Sequence, residues 1–520
     1  MASGISRGMA ASSLNLPPAL LLLVLCLRAV ALQAGNNAPL SPGKEERTPA
    51  QELRGWWVDA FHPGIKSPQE VHQLVTEARA GHFNSLFVQV IRRGDAYYHS
   101  NLLPLAADIS PSFDPLAELI EEAHSGSPRI EIHAWMVMFP AWGDHINPPP
   151  ASNHVMRLHP DWLTRSSRHE TWDGQGYCLD PGHPEVQRHL LRIATELLQY
   201  YQIDGLHLDY IRYSGRGWGY NPVSVGRFLA RSGRDETPAP DDAEWLQFRR
   251  DQVSGLVRRI YFAGLRTRPA ARLSAATICF SPGPATLEEW PHSAAFADKL
   301  QDWRGWLEEG ILDTAVPMAY FVEPNYAEAW RRWSRFAKEN KYHRQVALGI
   351  GSYLNSLSDG MRQLRSVRDP ASSGASADGM VCYSYAAPTH DHLSRSAWIQ
   401  QLTRPQLKSR TSQPLFASRA DTPPMGWKTA PKLGSIEGYV RPEDQTEGID
   451  GATVEVSGPV HRTLKTAADG WYGIVDLPPG DYRVRASHPP FEPMERDSSV
   501  LAGRITASDV NLEPPLSEDL

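Results

Sequence analysis

The chain has 520 residues, with 59 acidic and 52 basic side chains, and 41% of its residues are hydrophobic. This length is too great for one ordinary core, although an α/β barrel alone takes roughly 250 residues or more. The hydrophobic content excludes global disorder. A formal net charge of −7 argues against a general nucleic-acid-binding protein, whose surface would be basic.

Residues 1–34 are predicted to be a signal peptide. Ala19–Leu27 is a short apolar run followed by small residues that fit a cleavage site. The run is too short to span a membrane, and no later stretch reaches about 18 apolar residues. We therefore expect a secreted, periplasmic or extracellular protein without a transmembrane helix in its mature chain. Residues 35–51 are predicted to be a linker.

The middle of the chain alternates strand and helix patterns eight times. Alternating strands and helices indicate a parallel sheet. Eight such units favour a (β/α)8 TIM-like barrel, which is predicted over residues 52–403. An open doubly wound sheet is less favoured, because many such sheets have a Gly-rich nucleotide-binding loop after the first strand and this chain has none there. The predicted strands are Arg54–Ala60, Ser85–Ile91, Ile130–Met138, Gly205–Ile211, Leu273–Phe280, Thr314–Tyr320, Gln345–Gly351 and Gly379–Tyr385.

Acids and aromatic residues collect at the carboxyl ends of these strands, where TIM barrels hold their active sites. Hydrolysis by acid/base chemistry without a metal normally uses a pair of carboxyl groups. Asp209 is the first catalytic candidate, because the two-residue period of a strand places it on the inward face. Glu323, after strand six, and Asp59, after strand one, compete for the second role. The predicted substrate-binding residues are His207, Tyr210, Arg212, Tyr213, Gln89, Arg92, Asp95, His133, Trp135, Tyr320 and Tyr385.

Several of these candidates have a purely structural alternative. Asp209 could form a salt bridge with Arg212 that only holds the loop, and Glu323 could be an exposed loop acid. Asp95 could cap a turn, and the neighbours His133 and Trp135 could be core residues. A His-Asp-His triplet near residue 390 lies in a polar loop without a third ligand. We expect neither a metal nor a cofactor, since glycoside hydrolysis needs none.

The motifs of this region resemble the glycosyl-hydrolase-like family 10 domain, over roughly Glu52 to Thr403. The resemblance implies a TIM-like barrel acting on a polysaccharide, and some relatives are associated with peptidoglycan glycan strands. The chain departs from the family pattern at two places. Family members often have two consecutive acids where this chain has Asp209 followed by Tyr210, and they often have Arg at the position of Ile91. The motifs are RGWWVDA at Arg54–Ala60, FVQVIRRGDAYY at Phe87–Tyr98, HAW at His133–Trp135, LDPGHPEVQ at Leu179–Gln187 and DGLHLDYIRY at Asp204–Tyr213.

The C-terminal part of the chain is predicted to be a separate β domain. Residues 404–433 are rich in Pro, Ser, Thr and Lys and are predicted to be a linker. Short alternating strands follow over residues 434–515. Motifs at Asp469–Tyr472 and Leu477–Tyr482 resemble the carboxypeptidase regulatory-like domain, a prealbumin-like sandwich. Such modules are usually accessory.

Taken together, these patterns predict an exported glycoside hydrolase that acts on a polysaccharide or glycan and has no nucleic-acid partner. The alternative is a non-catalytic glycan-binding protein of the cell envelope on the same barrel. The single acid in DGLHLDYIRY supports that alternative. A third hypothesis is a barrel enzyme of another class, such as a lyase or a deacetylase.

Overall fold

The computed structural model describes residues 50–404 and 413–514. The predicted signal peptide, almost all of the first predicted linker and residues 405–412 lie outside these ranges. The described residues belong to one compact unit.

Eight parallel strands close into a barrel, which confirms the predicted (β/α)8 fold. Neighbours along the chain pair in parallel, and the eighth strand pairs with the first. The strands are β1 (Leu53–Val58), β2 (Ser85–Ile91), β3 (Glu131–Val137), β4 (Gly205–Asp209), β5 (Arg272–Thr277), β6 (Thr314–Ala319), β7 (Gln345–Gly351) and β8 (Gly379–Tyr383). A two-stranded sheet of Pro140–Trp142 and Tyr177–Cys178 lies in the long connection between β3 and β4.

Helices connect the strands and cover the outside of the barrel. Four of these helices have proline as their first residue. The residue before each proline caps the helix, because its side chain accepts a hydrogen bond from a backbone N–H of the first turn. Both features are strong signals for the start of a helix. In the described ranges no helix is long and apolar enough to cross a membrane. The helices are α1 (Pro68–Ala80), α2 (Pro115–Ser125), α3 (Val155–Leu158), α4 (Pro184–Tyr200), α5 (Pro222–Ser232), α6 (Ala243–Thr267), α7 (Trp303–Glu309), α8 (Ala327–Glu339), α9 (Leu357–Ser366), α10 (Arg395–Thr403) and α11 (Gly426–Thr429).

The interior of the barrel is filled by side chains, many of them aromatic. Trp57 of β1, Phe87 of β2 and Trp135 of β3 pack there with small aliphatic residues from the other strands. Every residue of β1, β2 and β7 is buried, as expected for parallel strands covered on both faces. Open space for a substrate is therefore expected only at the carboxyl end.

The described part of the predicted second linker closes the amino end of the barrel. Thr422 donates to Glu131 Oε1 at 2.6 Å, and Gln345 of β7 donates to the Pro424 carbonyl at 3.1 Å. The side chain of Lys428 forms a fully buried ion pair with Asp313, at 2.5 Å between Nζ and Oδ2. This segment is therefore part of the barrel rather than a free spacer.

The C-terminal domain is a sandwich of two sheets, mostly antiparallel. One sheet has the order β12-β9-β15, with β16 also paired to β9, and the other has the order β11-β10-β13-β14. A second hydrophobic core lies between them. The strands are β9 (Gly434–Pro442), β10 (Thr453–Ser457), β11 (His461–Lys465), β12 (Trp471–Leu477), β13 (Gly480–Ser487), β14 (Met494–Val500), β15 (Ile505–Ala507) and β16 (Val510–Leu512).

The sandwich is held against the barrel by arginines that project from barrel helices and loops. Arg227 of α5 pairs with Asp450 at 2.8 Å, and Arg344, just before β7, pairs with Asp476 at 2.8 Å. Trp471 packs edge-on against Phe262 of α6, with 5.5 Å between ring centroids. Since Arg344 lies at the amino end of β7, this interface is remote from the carboxyl end.

Two truncations should separate the contributions of the linker and the sandwich. A chain ending at Leu433 keeps the segment that closes the amino end, so we expect a soluble barrel with a lowered melting temperature. A chain ending at Thr411 uncovers the charges of Glu131 and Asp313, so we expect little soluble protein. Soluble yield and thermal melting measure the difference. Equal soluble yields and melting temperatures of the two truncated chains would show that the segment before Leu433 contributes nothing to the stability of the barrel.

Candidate active site

Asp209 is the last residue of β4 and lies at the carboxyl end of the barrel. Its Oδ1 accepts a hydrogen bond from the Tyr210 backbone at 2.7 Å, and its Oδ2 accepts one from Trp135 Nε1 at 3.1 Å. Tyr210 has a φ of 51°, in the left-handed region that L-residues rarely adopt. Such backbone strain is concentrated at functional sites.

The environment of Asp209 favours its protonated form. The residue is only 5% exposed, and burial raises the pKa of its carboxyl group above the ordinary value. Arg212 opposes the shift, with Nη1 at 3.8 Å from Oδ1, as do the hydrogen bonds from Tyr210 and Trp135. A carboxyl group with a raised pKa is suited to donate a proton. The salt bridge with Arg212 that the sequence offered as the structural alternative is present, at 3.8 Å between Nη1 and Oδ1, without a hydrogen bond between the two groups.

Three tyrosines form a partly exposed aromatic cluster at the same end. Tyr320 directly follows β6, Tyr383 ends β8, and Tyr353 lies in the short turn after β7. The rings of Tyr320 and Tyr383 are stacked at 5.6 Å, and Tyr353 meets Tyr383 edge-on at 5.6 Å. Trp57 packs beneath them, 6.1 Å from each of the first two rings. Aromatic faces of this kind suit the C–H faces of sugar rings.

Asp59 follows β1 and lies near the same cluster. Its Oδ1 accepts hydrogen bonds from the backbone N–H groups of Phe61 and His62, and it lies 2.7 Å from His62 Nδ1. Its Oδ2 is buried without a hydrogen-bond partner among the described residues. Burial raises the pKa of Tyr383 well above its usual value, and the negative charges of Asp59 and Asp209 both add to that shift. The charges of both carboxylates therefore act on Tyr383.

Glu323 lies in the loop after β6 and is turned towards helix α9. Its Oε1 accepts a hydrogen bond from Gln363 Nε2 at 3.4 Å, and its backbone N–H donates to Asn355. Gln363 is a buried residue of α9, outside the barrel interior. Of the two candidates for the second carboxylate, Asp59 is the one whose charge acts on Tyr383 together with that of Asp209.

Two predicted binding residues, His207 and His133, lie below the carboxyl end and have almost no exposed surface. His207 is buried in the interior, where Nε2 accepts from Trp57 Nε1 at 3.0 Å and Nδ1 lies 2.9 Å from Ser274 Oγ. Because the indole N–H can only donate, the proton of the neutral imidazole lies on Nδ1. Burial lowers the pKa of His207 well below its usual value. His133 stacks on Phe87 at 4.5 Å.

Gln89 connects two strand ends rather than facing the opening. Its Oε1 accepts from the Ala60 backbone at 2.8 Å and so fixes the loop that carries Asp59. Arg92 and Asp95 pair with each other at 2.7 Å within the loop after β2. These contacts hold the loops at the carboxyl end in place. They also mean that Gln89 Oε1 and the charged groups of Arg92 and Asp95 already have partners within the protein.

Two predicted binding tyrosines lie outside the barrel. Tyr213 is 2% exposed and belongs to the large core between strands and helices. Tyr385 is also 2% exposed, packs edge-on against Trp56 at 4.9 Å, and has Arg395 over its ring. Neither ring reaches the cluster formed by Tyr320, Tyr353 and Tyr383.

Residues 52–364, more than half of the chain, match the glycosyl hydrolase-like 10 family. The chain belongs to this family. Residues 435–513 match the carboxypeptidase regulatory-like domain. Both resemblances expected from the sequence motifs are thereby confirmed, in the expected order along the chain.

Two curated relatives are described as glycosyl hydrolases. The chain is 26% identical over 322 residues to glycosyl hydrolase YngK of Bacillus subtilis (strain 168), a match that covers 58% of this chain and 60% of the relative. It is 26% identical over 259 residues to glycosyl hydrolase DigH of Escherichia coli (strain K12), covering 46% and 54%. The chain thus spans less than two thirds of the length of either relative. Among solved structures, the glycoside hydrolase domain of PgaB (BpsB) from Bordetella bronchiseptica superimposes with a TM-score of 0.47 at 15% identity, covering 67% of this chain and 98% of that domain.

Sequence reasoning missed two residues of the site in this member of the glycosyl hydrolase-like 10 family. Tyr383 shares its inward face with Val381, and strict alternation along β8 would have found it. Tyr353 lies in a turn with no periodic signal.

Replacing Trp135 with Phe should change the pH dependence of the site while keeping an aromatic ring. The hydrogen bond from Trp135 Nε1 stabilises the ionised form of Asp209, so its loss should raise the pKa of Asp209 further. If Asp209 must be protonated, the alkaline limb of the activity profile should move to higher pH. A pH–rate profile measures this. An unmoved limb would mean that another group controls it.

Proposed function

We propose that this protein is a glycosidase that hydrolyses a polysaccharide by carboxyl acid/base chemistry at the carboxyl end of its barrel. The observation that carries the proposal is the buried carboxyl group of Asp209, whose pKa is raised and whose partner Trp135 lies 6.5 Å from the Tyr383 ring of the aromatic cluster. Membership of the glycosyl hydrolase-like 10 family supports the same reaction class. Peptidoglycan glycan strands are one candidate substrate.

Asp209 is assigned the role of general acid. Its proton passes to the glycosidic oxygen as the bond to the anomeric carbon breaks, which avoids an alkoxide leaving group. Trp135 and the Tyr210 backbone, which hydrogen-bond the carboxyl oxygens, then stabilise the carboxylate that remains.

Asp59 is assigned the role of second carboxylate. Its Oδ1 is held by the loop backbone, and its Oδ2 is buried without a hydrogen-bond partner among the described residues. This oxygen either attacks the anomeric carbon or takes a proton from an attacking water, the two roles known for the second carboxylate of glycosidases. The Tyr320 and Tyr383 rings provide the surface on which a sugar ring can stack.

The proposal is tested by incubating the purified protein with a panel of polysaccharides that includes peptidoglycan strands freed of peptides. New reducing ends and shortened products are the expected result. Binding without any cleavage across the panel would instead favour the non-catalytic glycan-binding protein. Products carrying an unsaturated sugar or free acetate would indicate a lyase or a deacetylase.

The choice of the second carboxylate is tested by a matched pair of variants. Asp59→Asn should lower turnover by at least about a hundredfold, since it removes the base or nucleophile. Glu323→Gln should change turnover by less than about threefold, because its carboxylate already accepts a hydrogen bond from Gln363 on α9. The reverse pattern would assign the second role to Glu323.

We also propose that residues 1–34 direct export of the protein. Fusion of this segment to a phosphatase that is active only outside the cytoplasm should give an active reporter. A fusion in which Leu22 and Val24 are replaced by Arg interrupts the apolar run and serves as the control. Equal activity of both fusions would contradict export by this segment.

A further inference from the structure

His154 directly precedes α3, and both nitrogens of its imidazole are engaged. Its Nδ1 accepts a hydrogen bond from the Met156 backbone N–H at 3.2 Å and so caps the helix. Its Nε2 lies 2.9 Å from the backbone carbonyl oxygen of Arg93, in the loop after β2. A backbone N–H can only donate and a carbonyl oxygen can only accept. These two partners therefore require the neutral imidazole with its proton on Nε2.

The imidazole joins three segments at the carboxyl end of the barrel. His154 is 2% exposed and lies against Gly94, which has a φ of 78° and where an added Cβ would be 2.8 Å from Nε2. The Trp142 ring of the two-stranded sheet meets the imidazole edge-on, at 5.6 Å between ring centroids. His154 thus connects the loop after β2, the sheet that follows β3, and α3.

The two-stranded sheet begins beside the candidate active site. Its first strand, Pro140–Trp142, starts just after Met138, whose backbone N–H donates to the carbonyl oxygen of Asp209 at 2.9 Å. The backbone N–H of Leu179, next to the second strand, donates to the Phe139 carbonyl oxygen at 2.8 Å. The sheet therefore lies next to the end of β4 that carries Asp209, and His154 holds it against the loop after β2.

Protonation of His154 would remove one of its two hydrogen bonds. The imidazolium carries a proton on both nitrogens, so Nδ1 would face the Met156 N–H, donor against donor. A preferred capping residue such as Asn would keep this bond at any pH. The loss matters at α3 because this helix has 4 residues. His183 caps α4 in the same way, but α4 has 17 residues and many other hydrogen bonds.

The charged groups around the imidazole do not cancel the effect of burial. Burial lowers the pKa of His154, the hydrogen bond to the Arg93 carbonyl and the charge of Asp95 oppose that shift, and the charge of Arg157 on α3 adds to it. Asp95 is itself paired with Arg92 at 2.7 Å. Since the pKa is lower in the folded protein than in the unfolded chain, the stabilisation by neutral His154 is complete above pH 6.5. It is lost as the pH falls through the lowered pKa.

We propose that His154 is a pH-sensitive latch, which holds the connection between β3 and β4 against the loop after β2 while its imidazole is neutral and releases it in acidic solution. The released segment is residues 140–158, and the eight barrel strands stay folded. Release loosens the sheet next to Asp209. This inference is independent of the proposed glycosidase function.

Hydrogen–deuterium exchange of the full chain tests the latch, from about pH 7.5 to about pH 5, with exchange times scaled for the pH dependence of the chemical step. Protection of peptides within residues 140–158 should fall by about fivefold or more, while peptides from β2 and β4 keep theirs. His154→Asn supplies a cap that does not titrate. Its protection is lower because the bond to Arg93 is lost, but it should not change with pH. His72→Asn, at an α1 side chain that is 73% exposed, is the control and should release as wild type does.

The imidazole itself provides a second measurement that needs no variant. Deuterium exchange at the C2 carbon of each histidine, followed by mass spectrometry, gives the pKa of His154 in the native chain. This pKa should lie below 6.5 and coincide with the midpoint of release. Should His154→Asn fail to fold, the agreement of these two midpoints decides. Unchanged protection across the pH range, a release that persists in folded His154→Asn, or midpoints that differ would overturn the latch.

Discussion

Replacing Asp209 with Asn is expected to lower kcat on the polysaccharide substrate by at least about a hundredfold. Proton transfer by a positioned acid contributes about 10²–10⁴-fold to such reactions. Asn keeps the size of the side chain and an oxygen that can accept from Trp135 or Tyr210, but it carries no transferable proton. Rates of reducing-end formation at saturating substrate measure the loss.

The fold of the Asp209→Asn variant should be at least as stable as that of the wild type at neutral pH. Because burial raises the pKa of Asp209 in the folded protein, the wild type loses stability as the pH rises from the ordinary value through the raised one. Asn has no such dependence. Melting temperatures across this pH window measure the effect, and a sharp fall in the variant would assign Asp209 a structural role.

The same raised pKa predicts how activity depends on pH. A general acid must carry its proton at the start of the reaction, so kcat should decrease as the pH rises through the pKa of Asp209. The Asp209→Asn variant should lose this alkaline limb together with its activity. A rate near that of the wild type would exclude Asp209 as the acid.

Replacing Lys428 with Met should lower the free energy of unfolding by about 3–5 kcal/mol, the largest stability effect expected. Lys428 and Asp313 are buried at the amino end of the barrel, with side chains 2% and 0% exposed. Asp313 would keep its hydrogen bonds from Trp427 Nε1 and the Leu273 backbone but would lose its counter-ion. Denaturant unfolding monitored by fluorescence measures the change.

An exposed ion pair provides the control for that experiment. Arg188 and Glu185 on α4 have side chains that are 55% and 44% exposed, and Arg188→Met should cost less than about 1 kcal/mol. Equal effects of the two substitutions would contradict the view that residues 413–433 stabilise the barrel. Activity of folded Lys428→Met protein should be close to that of the wild type, since the amino end is remote from Asp209.

The sequence by itself determined the order and type of the barrel elements. Short runs rich in β-branched and aromatic residues, such as Ser85–Ile91 and Gln345–Gly351, are strands with the predicted bounds. Proline after a capping residue marked the helix starts, as at Pro68. The period of two in DGLHLDYIRY placed Asp209 on the inward face. These signals are local, because they depend on side-chain alternation and on hydrogen bonds within one turn of the chain.

Only the tertiary structure decided which side chains meet at the carboxyl end and what closes the amino end. The prediction continued strand eight to Tyr385, whereas β8 ends at Tyr383 and Tyr385 packs outside the barrel. A register shift in β2, between Gln89 and Ile91, interrupts the alternation that the sequence predicts for the end of this strand. The pair of Lys428 with Asp313 joins residues 115 positions apart. Strand ends, bulges and distant ion pairs depend on contacts between segments that are far apart in the sequence, and local periodicity carries no information about them.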